Sequence, residues 1–395
     1  MHVLIFVLSL ILFIGLVVVH EWGHYLAAIR SGVEVEEFGI GFPPRAFYKK
    51  LKNGVTLSLN WLPLGGFVKM KGEHDSDDRP GSFGAATLRN KVRIMLAGVI
   101  MNLMVGLAML TVLALVGMPK ILTKDNVGVD QFSVSGDTKI IRQSVNVGQI
   151  LPGSPAALAG LRSTDIINSV AGPSKTLIIK TTADLHAATS DLAGQTVTLH
   201  LTRIGQPLNL KVHLLSKQEV QASLDTNSPK GYLGVAPNQI QIQRSTWSAP
   251  VVAVGFSGQL IQLTLKGIGH ALSGLGSVIA GLATSNHAAR QNGSAEATSQ
   301  VGGPVAIGFA LWNYGALGIN FMLWTIAVIS LTLAVINILP IPALDGGRLA
   351  MVLYARLVLR RPLRREIEER VVGASMALLF GLIILITFVD VRRFF

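Results

Sequence analysis

Four stretches of this chain are both strongly apolar and uncharged for long enough to cross a bilayer, and they restrict the fold more than any motif does. Residues 3–19, VLIFVLSLILFIGLVVV, would rise ~26 Å as a helix against a hydrocarbon core of about 30 Å. Residues 94–116, 316–338 and 371–389 are the other three, Asn102 being the one strongly polar side chain of the second run. In lipid every backbone polar group has to be satisfied internally, so such runs are expected to be helices. Composition agrees: 14% of the residues are charged, 50% are hydrophobic and the mean hydropathy is +0.51. The first run lacks a basic flank before it and an A-x-A site after it, and its helical pattern continues through HEWGHYLAAI. It therefore reads as a retained span rather than a cleaved leader.

Charge sets the topology. Residues 29–93 carry eleven Lys and Arg, and residues 345–370 carry seven, so both loops are expected on the cytoplasmic side. Arg392 and Arg393 run mildly against that orientation. The net charge of +12 is spent on these flanks rather than gathered on an aromatic-studded patch, and no nucleic-acid partner is expected. With no Cys there is no disulfide framework, no thiolate nucleophile and no thiolate metal ligand. The chain divides into a first membrane part, 1–116; an extracytoplasmic region, 117–246; interfacial amphipathic helices and a polar linker, 247–300; and a second membrane part, 301–395. Within 251–285, Gln259, Gln262, Lys266 and His270 interrupt the apolar run, which favours helices lying in the interface over a fifth span. Residues 284–300, TSNHAARQNGSAEATSQ, read as linker. In the first cytoplasmic loop, GVTLSLNWLPLGGFVKMKGE alternates apolar and polar residues around Pro63, Gly65 and Gly66, a hairpin pattern expected against the membrane. Short apolar runs between Gly and Pro over about 126–236 predict a small strand-rich module.

The stretch VVVHEWGHYL places His20, Glu21 and His24 at the end of the first span. Ionisable groups there are expensive and usually functional. Residues four apart share a helix face about one turn, ~6 Å, along the axis, which suits two imidazoles on one cation. In the H-E-x-x-H pattern the histidines bind zinc, and the Glu takes a proton from the zinc-bound water, whose pKa is lowered towards ~7. The bland reading is a set of interfacial anchors. A third ligand is expected, and Asp345 in NILPIPALDGG is the candidate, because Pro340 and Pro342 should end the third span at the same depth. Gly346 and Gly347 would then permit an unusual backbone path after the carboxylate. Asp345 as a simple turn residue is the competing reading. Asn337 is a candidate for binding a substrate backbone or the tetrahedral intermediate, with helix–helix hydrogen bonding as its alternative. His74, His186, His200 and His213 fall in ordinary loop or strand settings and are assigned no metal.

With H-E-x-x-H in one span and N-x-x-P-x-P-x-L-D-G in another, the chain resembles the site-2 protease family of intramembrane zinc metalloproteases, closest to the bacterial regulator of sigma-E protease group. LPLGGFVKMKGE, FGIGFPP, AGVIMN and VGGPVAI look like that family's surroundings, and ILPGSPAALAGLRSTDII is similar to the core of a bacterial PDZ domain. Thr164 stands where that core usually has Gly, and Val99 where the family's second span has Pro. The resemblance implies a polytopic α-helical membrane protein of about four spans, with a membrane-associated β-hairpin region and an extracytoplasmic PDZ-like α+β domain. It implies a bacterial plasma membrane, one Zn2+ per chain, and membrane-spanning protein substrates such as single-span regulators or signal-peptide remnants, cut near the cytoplasmic side. Gly39, Gly41, Gly65, Gly66 and Phe67 would receive an unwound substrate by strand addition, or the hairpin would simply plug the cytoplasmic face. The PDZ-like domain would read a peptide or act as a size filter. A non-catalytic scaffold and a proton-relaying transporter are the competing functions; a scaffold has no need of all four of His20, Glu21, His24 and Asp345, and the chain shows no inverted repeat.

Overall fold

A computed structural model describes residues 2–224, 229–283 and 303–394. The expected linker, 284–300, lies outside the described residues, as do Val301 and Gly302 of VGGPVAI. The helices are α1 (His2–Arg30), α2 (Leu88–Val116), α3 (Lys124–Val127), α4 (Pro155–Leu158), α5 (Thr182–Asp191), α6 (Lys217–Leu224), α7 (Ala249–Ala283), α8 (Pro304–Ala316), α9 (Ile319–Asn337), α10 (Asp345–Leu353) and α11 (Arg365–Phe394). A π-helical turn, Tyr354–Val358, continues α10. The chain forms two compact units: one of Met1–Val7, Leu110–Phe256 and Leu311–Thr325, the other of Leu8–Met109, Ser257–Ala310 and Ile326–Phe395.

By length and composition, five helices among the described residues can cross a membrane, and the chain is a polytopic membrane protein. The four expected runs fall in α1, α2, α9 and α11; the fifth is Ala249–Gly274. Here the structure departs from the expectation of separate interfacial helices, since 249–283 is one continuous helix. The reason is spacing. Gln259, Gln262, Lys266 and His270 recur every three or four residues, so they share one stripe of α7 and leave the rest of its surface apolar instead of breaking it.

The alternating pattern around Pro63, Gly65 and Gly66 does form paired strands, β1 (Val35–Lys50) and β2 (Thr56–Met70). Each of Glu37, Phe38, Gly39 and Ile40 has two partners, one within Gly66–Lys69 and one within Thr56–Leu59. Both backbone edges of Gly39 are therefore occupied. Among the described residues the 66–69 segment pairs on one side only.

The other unit holds a seven-stranded antiparallel sheet in the order β3 (Met118–Lys120), β9 (Val235–Arg244), β4 (Lys139–Ile150), β5 (Ile166–Ala171), β7 (Thr196–Arg203), β8 (Gln206–His213), with β6 (Thr176–Ile178) paired to β5. Val197, Leu199 and Leu201 alternate along β7 and are almost wholly buried with Val145, Val147 and Ile167, and α4 and α5 contribute Ala156, Leu185 and Ala188 to the same core. Thr164, just before β5, has φ +78°. A β-branched residue is strained there, which explains why glycine is usual at this point of the pattern. The turn holds Asp165 on Arg203, Oδ2 to Nη2 at 2.6 Å. Replacing Thr164 by Gly is expected to stabilise this unit by about 1 kcal/mol, read as a higher Tm of the full chain; an unchanged or lower Tm would contradict the strain.

One buried ionic junction braces the membrane unit. Asp75, in the loop after β2, and Lys91, in the first turn of α2, are each 1% exposed and meet at 2.5 Å. Arg356, in the π turn beyond α10, adds Nε at 3.0 Å, and the backbone N–H of Leu363 donates to the same carboxylate. Burial alone would push the Asp75 carboxyl up, but the hydrogen bonds from Lys91 and Arg356 outweigh it and hold it below the usual carboxylate range. Its stabilising contribution is thus complete above the unfolded value near ~4 and is lost as pH falls through the lower folded value. Asp75→Asn should cost about 3–5 kcal/mol at neutral pH, because Lys91 is left buried without its counter-charge. It should also shrink the acid limb of a Tm-against-pH profile; an unaltered profile would count against this junction.

Candidate metal centre

The end of α1 and the start of α10 supply three facing atoms. His20 Nε2 lies 3.1 Å from Asp345 Oδ2, His24 Nε2 lies 3.2 Å from it, and the two imidazole nitrogens are 3.3 Å apart. Four donors set tetrahedrally about zinc at ~2.0–2.1 Å are separated by ~3.3–3.4 Å, so this triangle has the edges such a site requires. Both histidines are 8% exposed. Among the described residues this is the group of His, Asp and Glu side chains with atoms close enough to share a cation.

Outer hydrogen bonds orient the rings. His24 Nδ1 donates to the Ile94 carbonyl at 2.8 Å, which leaves the lone pair on Nε2. His20 Nδ1 lies 3.2 Å from the Asn102 amide, whose Oδ1 is buried without a partner as placed. Turning that amide over lets Oδ1 accept from His20 Nδ1–H and frees Nε2 for the cation; the assignment follows from the network. Gly98 completes the cradle, because a Cβ there would run into both imidazoles, His20 Nε2 at 2.7 Å among them. Gly98 and Asn102 are four apart on α2, facing the same side. Their spacing within AGVIMN was the signal that could have found them as a pair.

Asp345 is placed by close approach rather than by an unusual backbone. Asn337 ends α9, the two prolines occupy the turn, and Asp345 opens α10 as its first residue. Gly346 and Gly347 are helical, without positive φ, and a Cβ on either would strike the carbonyl of Ile338 or Ile341. Their role is therefore to let α10 pack onto the preceding turn, which corrects the expectation of an unusual path.

A cleft of about 460 Å3 opens beside the triangle, lined by Glu21, His24, Gly66, Phe67, Asp345 and Arg348 among others. Glu21 touches the hairpin: a Cβ on Gly66 would lie 3.1 Å from its Cγ. Of the residues expected to meet substrate, Gly66 and Phe67 line this cleft. Gly65 takes φ +97° against the Phe42 ring. Gly39 and Gly41 do not line it; Gly39 receives the Phe67 ring and Gly41 the Leu62 carbonyl. Asn337 lies outside the cleft lining, and no side-chain hydrogen bond is made by it among the described residues.

The cradle makes two expectations. Gly98→Ala should displace the imidazoles and abolish zinc retention, and Asn102→Ala should weaken zinc about 10–100-fold, both measured by chelator competition on folded protein. Wild-type affinity in both variants would contradict this arrangement.

A sequence model of peptidase family M50 matches residues 8–382. The chain is 29% identical over 385 residues to a Clostridium perfringens protein carried under the name of a zinc metalloprotease, covering 98% of each. It is 28% identical over 403 residues to Metalloprotease MmpA of Caulobacter vibrioides, covering 99% of this chain and 95% of that one. With the match running from the first span to the last, the chain belongs to peptidase family M50.

Proposed function

We propose that this family M50 protein is an intramembrane zinc endopeptidase that cuts a membrane-spanning segment of a protein substrate. The observation that carries the reading is the convergence of His20, His24 and Asp345 at 3.1–3.3 Å, with Glu21 in the adjoining cleft. Zinc held there supplies Lewis acidity, toward water and toward the scissile carbonyl. Glu21 takes the proton given up as water attacks and returns it to the departing amine nitrogen. The 66–69 segment, paired on one side only and forming one wall of the cleft, offers its free backbone edge to an unwound substrate. A helical substrate satisfies its own amides, so this edge replaces hydrogen bonds lost on unwinding. Gly39 and Gly41 serve that edge indirectly, by making room for Phe67 and for the strand crossing.

The excess of Lys and Arg in 29–93 and 345–370 supports a cytoplasmic hairpin and a catalytic centre near that side of a bacterial plasma membrane. The β4–β9 sheet with α4 and α5 is read as a PDZ-like extracytoplasmic domain. Support for peptide reading comes from β9, which pairs with β3 only over Gln241–Gln243 and leaves its Val235–Ile240 edge without a second strand among the described residues. The substrates of this reading are single-span regulators and signal-peptide remnants.

Reconstitution with single-span substrates tests the assignment. Glu21→Gln should retain zinc and lose cleavage by at least about 100-fold, the range of a missing general base. Equal cleavage by both proteins would remove Glu21 from the chemistry.

A further inference from the structure

A second groove, of about 450 Å3, lies between α1 and α2, lined among others by Gly23, Arg30 and Ser31 from α1 and the turn after it and by Arg93, Ala97 and Met101 of α2. Its floor is set by glycine: a Cβ on Gly23 would lie 2.6 Å from the Ala97 carbonyl, so the two helices touch there and the side chains on either side stand as walls. Polarity is divided along its length. Arg30, Ser31 and Arg93 stand at the end where α1 finishes and α2 begins, while Leu96, Ile100 and Met101 continue it as apolar surface into the span. Arg30 and Arg93 are exposed, and among the described residues neither guanidinium has a carboxylate or other hydrogen-bond partner, unlike Arg45, Arg79, Arg203 and Arg356, each of which is paired.

We infer that this groove is a binding site for one anionic phospholipid, its phosphate held between Arg30 and Arg93 with Ser31 beside them, and one acyl chain lying over Gly23 and Ala97 toward Met101. The occupant follows from the chemistry of the walls. Two uncompensated guanidinium groups beside a hydroxyl select a phosphate, and an apolar trough running on from them within a membrane span selects a chain attached to it. Nothing in this site takes part in the proposed hydrolysis, so the inference stands or falls separately from it.

Native mass spectrometry of the full chain in detergent, titrated with phosphatidylglycerol or phosphatidylcholine, is the test. One phosphatidylglycerol should bind about thirtyfold more tightly than phosphatidylcholine, about fivefold for each arginine. Arg30→Gln with Arg93→Gln should erase that preference, whereas Arg361→Gln with Arg364→Gln, exposed residues elsewhere on the basic surface, should keep it. Ile100→Trp, which fills the trough and spares the arginines, should weaken both lipids alike. A preference that survives loss of Arg30 and Arg93, or that falls equally in the Arg361 and Arg364 variant, overturns the site. Displacement of the lipid by inorganic phosphate would make it an anion site only, and displacement by a single-span peptide would assign the groove to a protein helix; either overturns the proposal.

Discussion

Two imidazole nitrogens and a carboxylate oxygen brought within 3.3 Å of one another, in a setting where both histidines are 8% exposed, form an arrangement that a single proton cannot satisfy. A proton bridges two of the three atoms; a divalent cation answers all of them at once. The surrounding fold can be understood as what that convergence demands. The Ile94 carbonyl and the Asn102 amide fix the two rings from behind, and the buried Asp75–Lys91–Arg356 junction ties the start of α2 to the segment that follows Asp345. The ionic junction lies at the ends of these elements, where charge can be matched, and the three converging side chains lie within the apolar part, where mismatch would be expensive.

Small residues determine whether the elements can come close enough. Helix association in lipid gains little from the hydrophobic effect and depends on close backbone approach. Gly23 meets Ala97, Gly98 meets the imidazoles, Gly106 meets Leu331 of α9, and Gly346 with Gly347 meets the turn after α9. These contacts stack α1, α2, α9 and α10 around the three converging atoms. Gly66 extends the series to the hairpin, bringing a strand edge against Glu21. A methyl group at any of these positions would open the site from a different direction.

Much of this is legible in the sequence. H-E-x-x-H dictates a shared helix face, Pro340 and Pro342 dictate a stop, and the apolar runs dictate four of the candidate spans. What escaped the sequence depended on neighbours. Polar residues in 251–285 look like interruptions when counted along the chain and become one stripe when wound on a helix. Gly39 and Gly65 look equivalent in a hairpin pattern, yet the register encloses Gly39 between two segments and leaves the 66–69 edge free. Gly346 and Gly347 suggest unusual dihedral angles, whereas they serve a close packing that only the turn at Ile338 and Ile341 reveals. Asp75 is one acidic residue among several in EHDSDD, and nothing local marks it as the one that Lys91 and Arg356, far away in the chain, converge upon.

The reading of the site turns on whether its three converging atoms hold one zinc ion. X-ray absorption at the zinc edge of the purified full chain addresses it most directly. The expected result is one zinc per chain, ligated by nitrogen and oxygen alone at ~2.0–2.1 Å, with outer-shell scattering from two imidazoles that disappears in His24→Ala. A chain that carries no zinc, or a spectrum that His24→Ala leaves unchanged, would contradict it.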